Sequence, residues 1–125
     1  MRKFGSKGNE NGQINHPVGV GLLSNENIVI AECGGSRVQV FDSQGNFVCI
    51  VGAGQFSNPN HLFFDSDDNI LVVDNDNKCI QLFHQNGNHI KSLVVGQLLS
   101  PAGVCMDRKG RIIVSEGETN RISIF

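Results

Sequence analysis

Short apolar runs alternate with polar, glycine-rich breaks along this chain, and no window places apolar residues at i, i+3, i+4 and i+7 over three turns. The predicted elements are therefore strands, and they recur. Pro17, Pro59 and Pro101 are spaced 42 residues apart, as are Phe41, Phe83 and Phe125. The same interval relates Ile28, Ile70 and Ile112, the apolar column Val38, Ile80 and Ile122, and the acidic column Glu32, Asp74 and Glu116. Gly45 and Gly87 mark one turn in two copies. A fixed period of about 40–45 residues marks a repeat architecture, in which each unit buries its apolar face on a neighbour.

Each copy reads as strands separated by turns. A first strand follows the proline, over residues 18–23, 61–65 and 103–107. The second is a solid apolar run ending in an acid: Ile28–Glu32, Ile70–Asp74 and Ile112–Glu116. An unbroken β-branched run of that length predicts a strand buried on both faces. The third covers Arg37–Phe41, Cys79–Phe83 and residues 121–125; a Gly-containing hairpin then leads to a fourth, Phe47–Val51 or residues 89–95. Four antiparallel strands in about 40–45 residues is the size of a propeller blade. The expected fold is all-β, a β-propeller fragment of three blades. Residues 1–16 would supply a fourth strand (residues 1–4) and a connection. Residues 17–58 and 59–100 would form two blades, and 101–125 a last blade lacking its fourth strand.

The motif Ala31-Glu32-Cys33-Gly34-Gly35-Ser36-Arg37-Val38-Gln39-Val40-Phe41 resembles the core of the NHL repeat: Ala, Asp, a Gly/Asn loop, then Arg-Ile-Gln-Val-Phe. Ser115-Glu116-Gly117-Glu118-Thr119-Asn120-Arg121-Ile122-Ser123-Ile124-Phe125 repeats it. In the copy running from Val73 to Phe83, Cys79 stands in place of the arginine. The segment from Phe4 through Gly12-Gln13 to Pro17-Val18-Gly19-Val20 is similar to the family's inter-blade connection. Within the family the chain is most like the C-terminal propellers of TRIM-NHL proteins, which are ubiquitin ligases or translational regulators; their propellers usually have six blades, so the resemblance implies that these three blades are half of a six-bladed ring. The resemblance implies a non-catalytic module that recruits a protein partner or ubiquitination substrate for a RING-type ligase. The alternative it implies is a propeller that binds single-stranded or hairpin RNA in a 3′ untranslated region. No RING or B-box cysteine pattern is present in these residues.

Charge and composition narrow these readings. Ten Lys and Arg against 12 Asp and Glu give a net charge of −2, which does not fit a binder dominated by phosphate contacts. No apolar run approaches the length that spans a bilayer, so no membrane association is expected, and the absence of an apolar leader points to the cytoplasm. Cys33, Cys49, Cys79 and Cys105 form no C-x-x-C pair and read as free, buried thiols.

Candidate chemistry is sparse. Glu32, Asp74 and Glu116 recur in every copy, whereas a catalytic site needs singular residues. They read as corner braces, paired with Arg37 and Arg121 five residues on, with Lys78 standing in beside Asp74. The inner-strand column holds Gly19, His61 and Gly103, one ligand type in three, so no metal and no cofactor is expected. The remaining candidates are rim residues of the loops: Lys7, His16, Ser36, Arg37, Asn60, His61, Asn77, Lys78, Asn120 and Arg121, with Phe56 as the nearest exposed aromatic. Three blades leave open edges. These would be covered by missing blades of a longer chain or by a 3+3 homodimer.

Overall fold

A computed structural model of the protein describes all 125 residues and contains eleven strands and no helix. The strands are β1 (Pro17–Leu22), β2 (Ile28–Glu32), β3 (Arg37–Phe41), β4 (Phe47–Val51), β5 (Pro59–Phe64), β6 (Ile70–Asp74), β7 (Cys79–Phe83), β8 (His89–Leu93), β9 (Pro101–Met106), β10 (Ile112–Glu116) and β11 (Arg121–Ile124). They form antiparallel sheets in the orders β1-β2-β3-β4, β5-β6-β7-β8 and β9-β10-β11. The sheets, called blades 1 to 3, meet face to face in sequence order. The first strands β1, β5 and β9 lie side by side, so the blades fan outward from them.

The apolar second strands acquire their meaning here. Side chains alternate across a strand, so each run is shared between two interfaces. In β6, Ile70 and Val72 enter the core between blades 1 and 2, with Val29, Ala31, Val38, Val40, Val51 and Phe83. Leu71 and Val73 enter the core between blades 2 and 3, with Ile80, Leu98, Val104 and Val114. All five residues of β6 are buried. The first blade contact depends on Gly21: a Cβ there would lie 2.1 Å from the Phe64 ring.

Each turn repeats with its conformation. Ser36, Lys78 and Asn120 adopt left-handed backbone at the same place in the loop between second and third strands, with φ of 50°, 53° and 55°. Glu26, Asp68 and Gly110 do so between first and second strands. Asp65 and Asp107 cap that turn through their side chains, and Asp42 caps the turn between third and fourth strands. Several hydrogen bonds hold the Asp42 and Asp107 carboxyls below the usual carboxylate range. For Asp42 the backbone N–H of Asn46 contributes most, and for Asp107 that of Arg111.

Several boundaries differ from the sequence expectation. The first strands begin at the prolines, because a residue without an N–H is tolerated as the opening residue of a strand. They end before Asp65 and Asp107, whose side chains cap the turns. β8 stops at Leu93; Val94 has φ 57°, where the preceding repeat places Gly52 at φ 54°. Residues 1–4 form no strand, since they find no third strand to pair with among these residues. Instead Phe4 packs on Phe41 at 5.4 Å, and Arg2 bonds to Gln44 and the Ser43 carbonyl. All four cysteines are free but only Cys79 is buried; Cys105 is exposed because its face of blade 3 has no further blade on it. Burial raises the pKa of both Cys49 and Cys79, and at Cys79 the charge of Asp74 adds to the effect.

Candidate functional site: the loop rim

The rim is built on the acidic column. Glu32 and Asp74 are fully buried and Glu116 is 6% exposed. Each carboxylate accepts backbone N–H groups from the segment that leads into its own blade: Asn15 at 2.7 Å, Ser57 and Asn58 at 3.2 and 3.0 Å, and Leu99 at 2.8 Å. The residue before each proline accepts a second bond, from Cys33, Asn75 and Gly117 at 3.2, 3.0 and 3.0 Å. The connection is thereby pinned to the end of the second strand in every repeat, which fixes the loops displayed above it.

The arginine partner recurs less faithfully than the acid. Arg37 donates to Glu32 from Nε at 3.1 Å and Nη2 at 3.2 Å. It also donates to the carbonyls of Gly8, Asn9, Glu10 and Gln13, the shortest at 2.6 Å. Gln39 completes the cluster by donating to Glu32 at 2.6 Å and to the Gln13 carbonyl at 2.7 Å. In blade 2 the expected Lys78 contact is replaced by Asn77, which donates to Asp74 at 2.6 Å. Arg121 makes no hydrogen bond to Glu116 and its side chain is exposed; Ser123 donates to that carboxylate instead, at 2.7 Å. The physical difference lies in the surroundings. A loop of carbonyls encloses Arg37, and nothing comparable holds Arg121. The hydrogen bond from Leu99, followed by that from Ser123, keeps the Glu116 carboxyl below its ordinary value; the charge of Arg121 adds a smaller effect.

The expected rim residues separate into groups. Ser36, Arg37 and Asn77 are committed to internal bonds, Ser36 to the Ser57 carbonyl at 2.9 Å. The side-chain oxygen of Asn60 is buried without a partner. His61 is exposed on β5, with Nδ1 accepting the Val104 N–H at 3.3 Å. Asn120 and Arg121 are exposed. Lys7 and His16 share an open cleft of about 480 Å³ with Phe4, Ser6, Ile14 and Asn15. Lys78 lines a second, of about 540 Å³, with Asp76, Leu99, Ser100, Ala102 and Glu118. Phe56, expected on the surface, is 8% exposed and packs on Phe83 at 5.2 Å, closing the core between blades 1 and 2. No three His, Cys, Asp or Glu side chains come together in a way that would hold a metal ion.

Asp76, Leu99 and Glu118 are not among the rim residues that the sequence pattern singles out. The signal was a break in the columns. Leu99 stands where the other repeats have Asn15 and Ser57, and Glu118 where the first has Gly34. Leu99 is 58% exposed.

Sheets of this register, fanned around their first strands, define β-propeller blades, and the sequence agrees. The NHL repeat model matches residues 15–41 and 98–125, in blades 1 and 3; the middle repeat, with Cys79 at the arginine position, falls outside the match. No curated protein matches the sequence. Among solved structures the fold is similar to virginiamycin B lyase from Staphylococcus aureus, at 18% identity and TM-score 0.73, over 89% of this chain and 38% of that one. A catalytically inactive variant of that lyase with quinupristin aligns at 17% identity and TM-score 0.70, over 87% and 40%. A protein of unknown function from Bacteroides caccae aligns at 18% and 0.56, over 85% and 44%. The chain thus spans about two fifths of the length of the structures it matches, and the likeness is one of fold.

Proposed function

We propose that this chain is a non-catalytic interaction module whose rim between blades 2 and 3 takes a segment of a protein partner. The observation that supports this reading is the composition of the second cleft. An exposed leucine, Leu99, lies among Asp76, Lys78 and Glu118 on loops held in place by the buried acids. An apolar anchor with charges around it is the arrangement of a protein-binding hot spot, and rigid loops reduce the ordering cost of binding. Two carboxylates against one lysine oppose a phosphate backbone, which places RNA second. In a longer cytoplasmic protein carrying a RING domain, the module would be the substrate-recruiting half of a TRIM-type ubiquitin ligase.

The test is selection of peptides from a displayed library against the chain. Selected peptides should lose at least tenfold in affinity on Leu99→Asp and change charge preference on Lys78→Glu. Peptides that bind wild type and Leu99→Asp equally would defeat the assignment. Random RNA pools titrated across salt provide the other arm: tight binding with a steep salt slope would favour the RNA reading.

A further inference from the structure

The end of the blades opposite the loop rim carries the turns between first and second strands, and one of these turns latches two blades together. Asp68 of blade 2 reaches back to blade 1, where its carboxylate accepts the Ser24 backbone N–H at 3.2 Å on Oδ1 and the Ser24 hydroxyl on Oδ2. One residue thus presents an N–H and an O–H together, and the two oxygens of a carboxylate take one each. One repeat further on, Ser66 stands at the place of Ser24 and Gly110 at the place of Asp68. The backbone repeats with them. Asp68 and Gly110 are both left-handed, at φ 60° and 80°, and their N–H groups bond the Asp65 and Asp107 carbonyls at 3.1 Å in each case. The Leu23 and Asp65 N–H groups, which precede the two serines, bond the Asn27 and Asn69 carbonyls at 2.9 and 3.1 Å. What differs at the second junction is the missing carboxylate.

Between blades 2 and 3 the donors remain without their acceptor. Ser66 is exposed, and its N–H and hydroxyl make no hydrogen bond within the chain. A Cβ at Gly110 would meet nothing within 4 Å, so the space that a side chain would fill is open. It belongs to a cleft of about 410 Å³ lined by Ser66 from one blade and Arg108 and Gly110 from the next, with Phe63 and Met106 as apolar wall. Arg108 is exposed and forms no ion pair. Two carboxylates also border the cleft, and both are engaged by their own turns. Asp65 accepts the N–H groups of Asp67 and Asn69 and the Asn69 amide. Asp107 accepts the N–H groups of Lys109 and Arg111 and the Arg111 guanidinium. Asp67, next to Ser66, does not line the cleft. The free groups are therefore an N–H, an O–H and a guanidinium, all donors. They lie between two blades already in contact, whatever adjoins blade 1 or blade 3.

We propose that this cleft binds an aspartate or glutamate side chain of a protein partner, held by the Ser66 N–H and hydroxyl as Ser24 holds Asp68, and paired with Arg108. The comparison within the chain selects the ligand: the same pair of donors, on the same backbone, holds a carboxylate one repeat earlier. Arg108 supplies the opposite charge, and its planar fork of N–H groups matches the two oxygens of a carboxylate. Phe63 and Met106 provide apolar surface for the methylene stem of the acidic side chain. The site lies at the other end of the blades from Leu99 and is independent of what the rim binds.

Titration of the 125-residue chain with acetylated hexa-aspartate, followed by amide NMR, should shift the Ser66 N–H resonance saturably, and hexa-asparagine should leave it in place. Gly110→Asp supplies the carboxylate from within the chain. It should weaken hexa-aspartate binding at least tenfold, and it should melt at a higher temperature than Gly110→Ala, which leaves the cleft open and should bind like wild type. Arg108→Glu should also weaken binding at least tenfold, whereas Leu99→Asp, at the opposite end, should leave it unchanged. A Ser66 resonance that does not move, or a Gly110→Asp chain that binds hexa-aspartate like wild type, would overturn the proposal. A Gly110→Asp chain that melts no higher than Gly110→Ala would show that Ser66 does not hold a carboxylate there. Inorganic phosphate that shifts Ser66 at lower concentration than the peptide would overturn the assignment to an acidic side chain.

Discussion

Arg37 and Arg121 occupy the same place in the repeat and do different work. Arg37 bridges the buried Glu32 carboxylate to four carbonyls of the connection, and its side chain is 12% exposed. Removing it leaves a carboxylate inside the sheet stack with only Asn15 and Gln39 as donors. Breaking one side of a buried pair costs about 3–5 kcal/mol, and the surviving donors place Arg37→Ala near 3 kcal/mol by urea denaturation. Arg121→Ala, at an exposed position, should stay within about 0.5 kcal/mol of wild type. Glu116 gives a prediction in pH. Its carboxyl is held below the ordinary 4.5, so the folded protein binds that proton less readily than the unfolded chain. The stabilisation is complete above pH 4.5 and is lost as the pH falls through the lower folded value. Glu116→Gln should be less stable at neutral pH and show a shallower loss of stability on acidification, followed by thermal melts between pH 6 and 3. The pairing of Glu32 with Arg37 is legible in the sequence from their spacing. The failure of Arg121 to repeat the pair is not, because it depends on a loop of carbonyls that the repeat motif does not contain.

At the scale of elements, the period of 42 fixes strands and turns together. The second strands were read to the residue, since an apolar run bounded by a turn and an acid leaves no freedom in its ends. First strands were misjudged by one or two residues, because proline opens them and an aspartate at the far end turns back to cap. The turns carry a sharp test. Gly87 and Gly110 both have positive φ, of 95° and 80°. A Cβ at Gly110 meets nothing within 4 Å, whereas one at Gly87 would lie 2.6 Å from the Ile50 carbonyl oxygen in blade 1. Gly110→Ala should therefore cost only the left-handed penalty of about 1–2 kcal/mol. Gly87→Ala should cost distinctly more, because the Gly52 N–H also bonds the Gly87 carbonyl across the blade junction, at 3.0 Å. Denaturation midpoints of the two variants measure the difference directly.

Across the whole molecule, burial is graded along the array. Blade 2 is covered on both sides and β6 is buried throughout, while β11 carries exposed Ile122 and Ile124. Amide exchange should be slowest in β6 and fastest in β11 and residues 1–6. Slow exchange of β11 would mean that its edge is paired. Phe83 is fully buried between blades 1 and 2, and its truncation to Ala should cost about 3–5 kcal/mol. The equivalent Phe125, 39% exposed, should tolerate the same change with a small loss.

By itself the sequence determined the repeat, the strands, the blade and the recurrence of an acid at the end of each second strand. All of these are local or periodic properties, and a period of 2 inside a period of 42 can be read from one chain. Only the tertiary structure decided which equivalent positions remain equivalent in environment. Phe56 was drawn into a core, Arg121 was left in solvent, and Leu99 was exposed beside Asp76 and Glu118. Those outcomes depend on what lies on the other side of each blade. Neighbouring blades are joined by contacts about one repeat apart, and no local pattern specifies them.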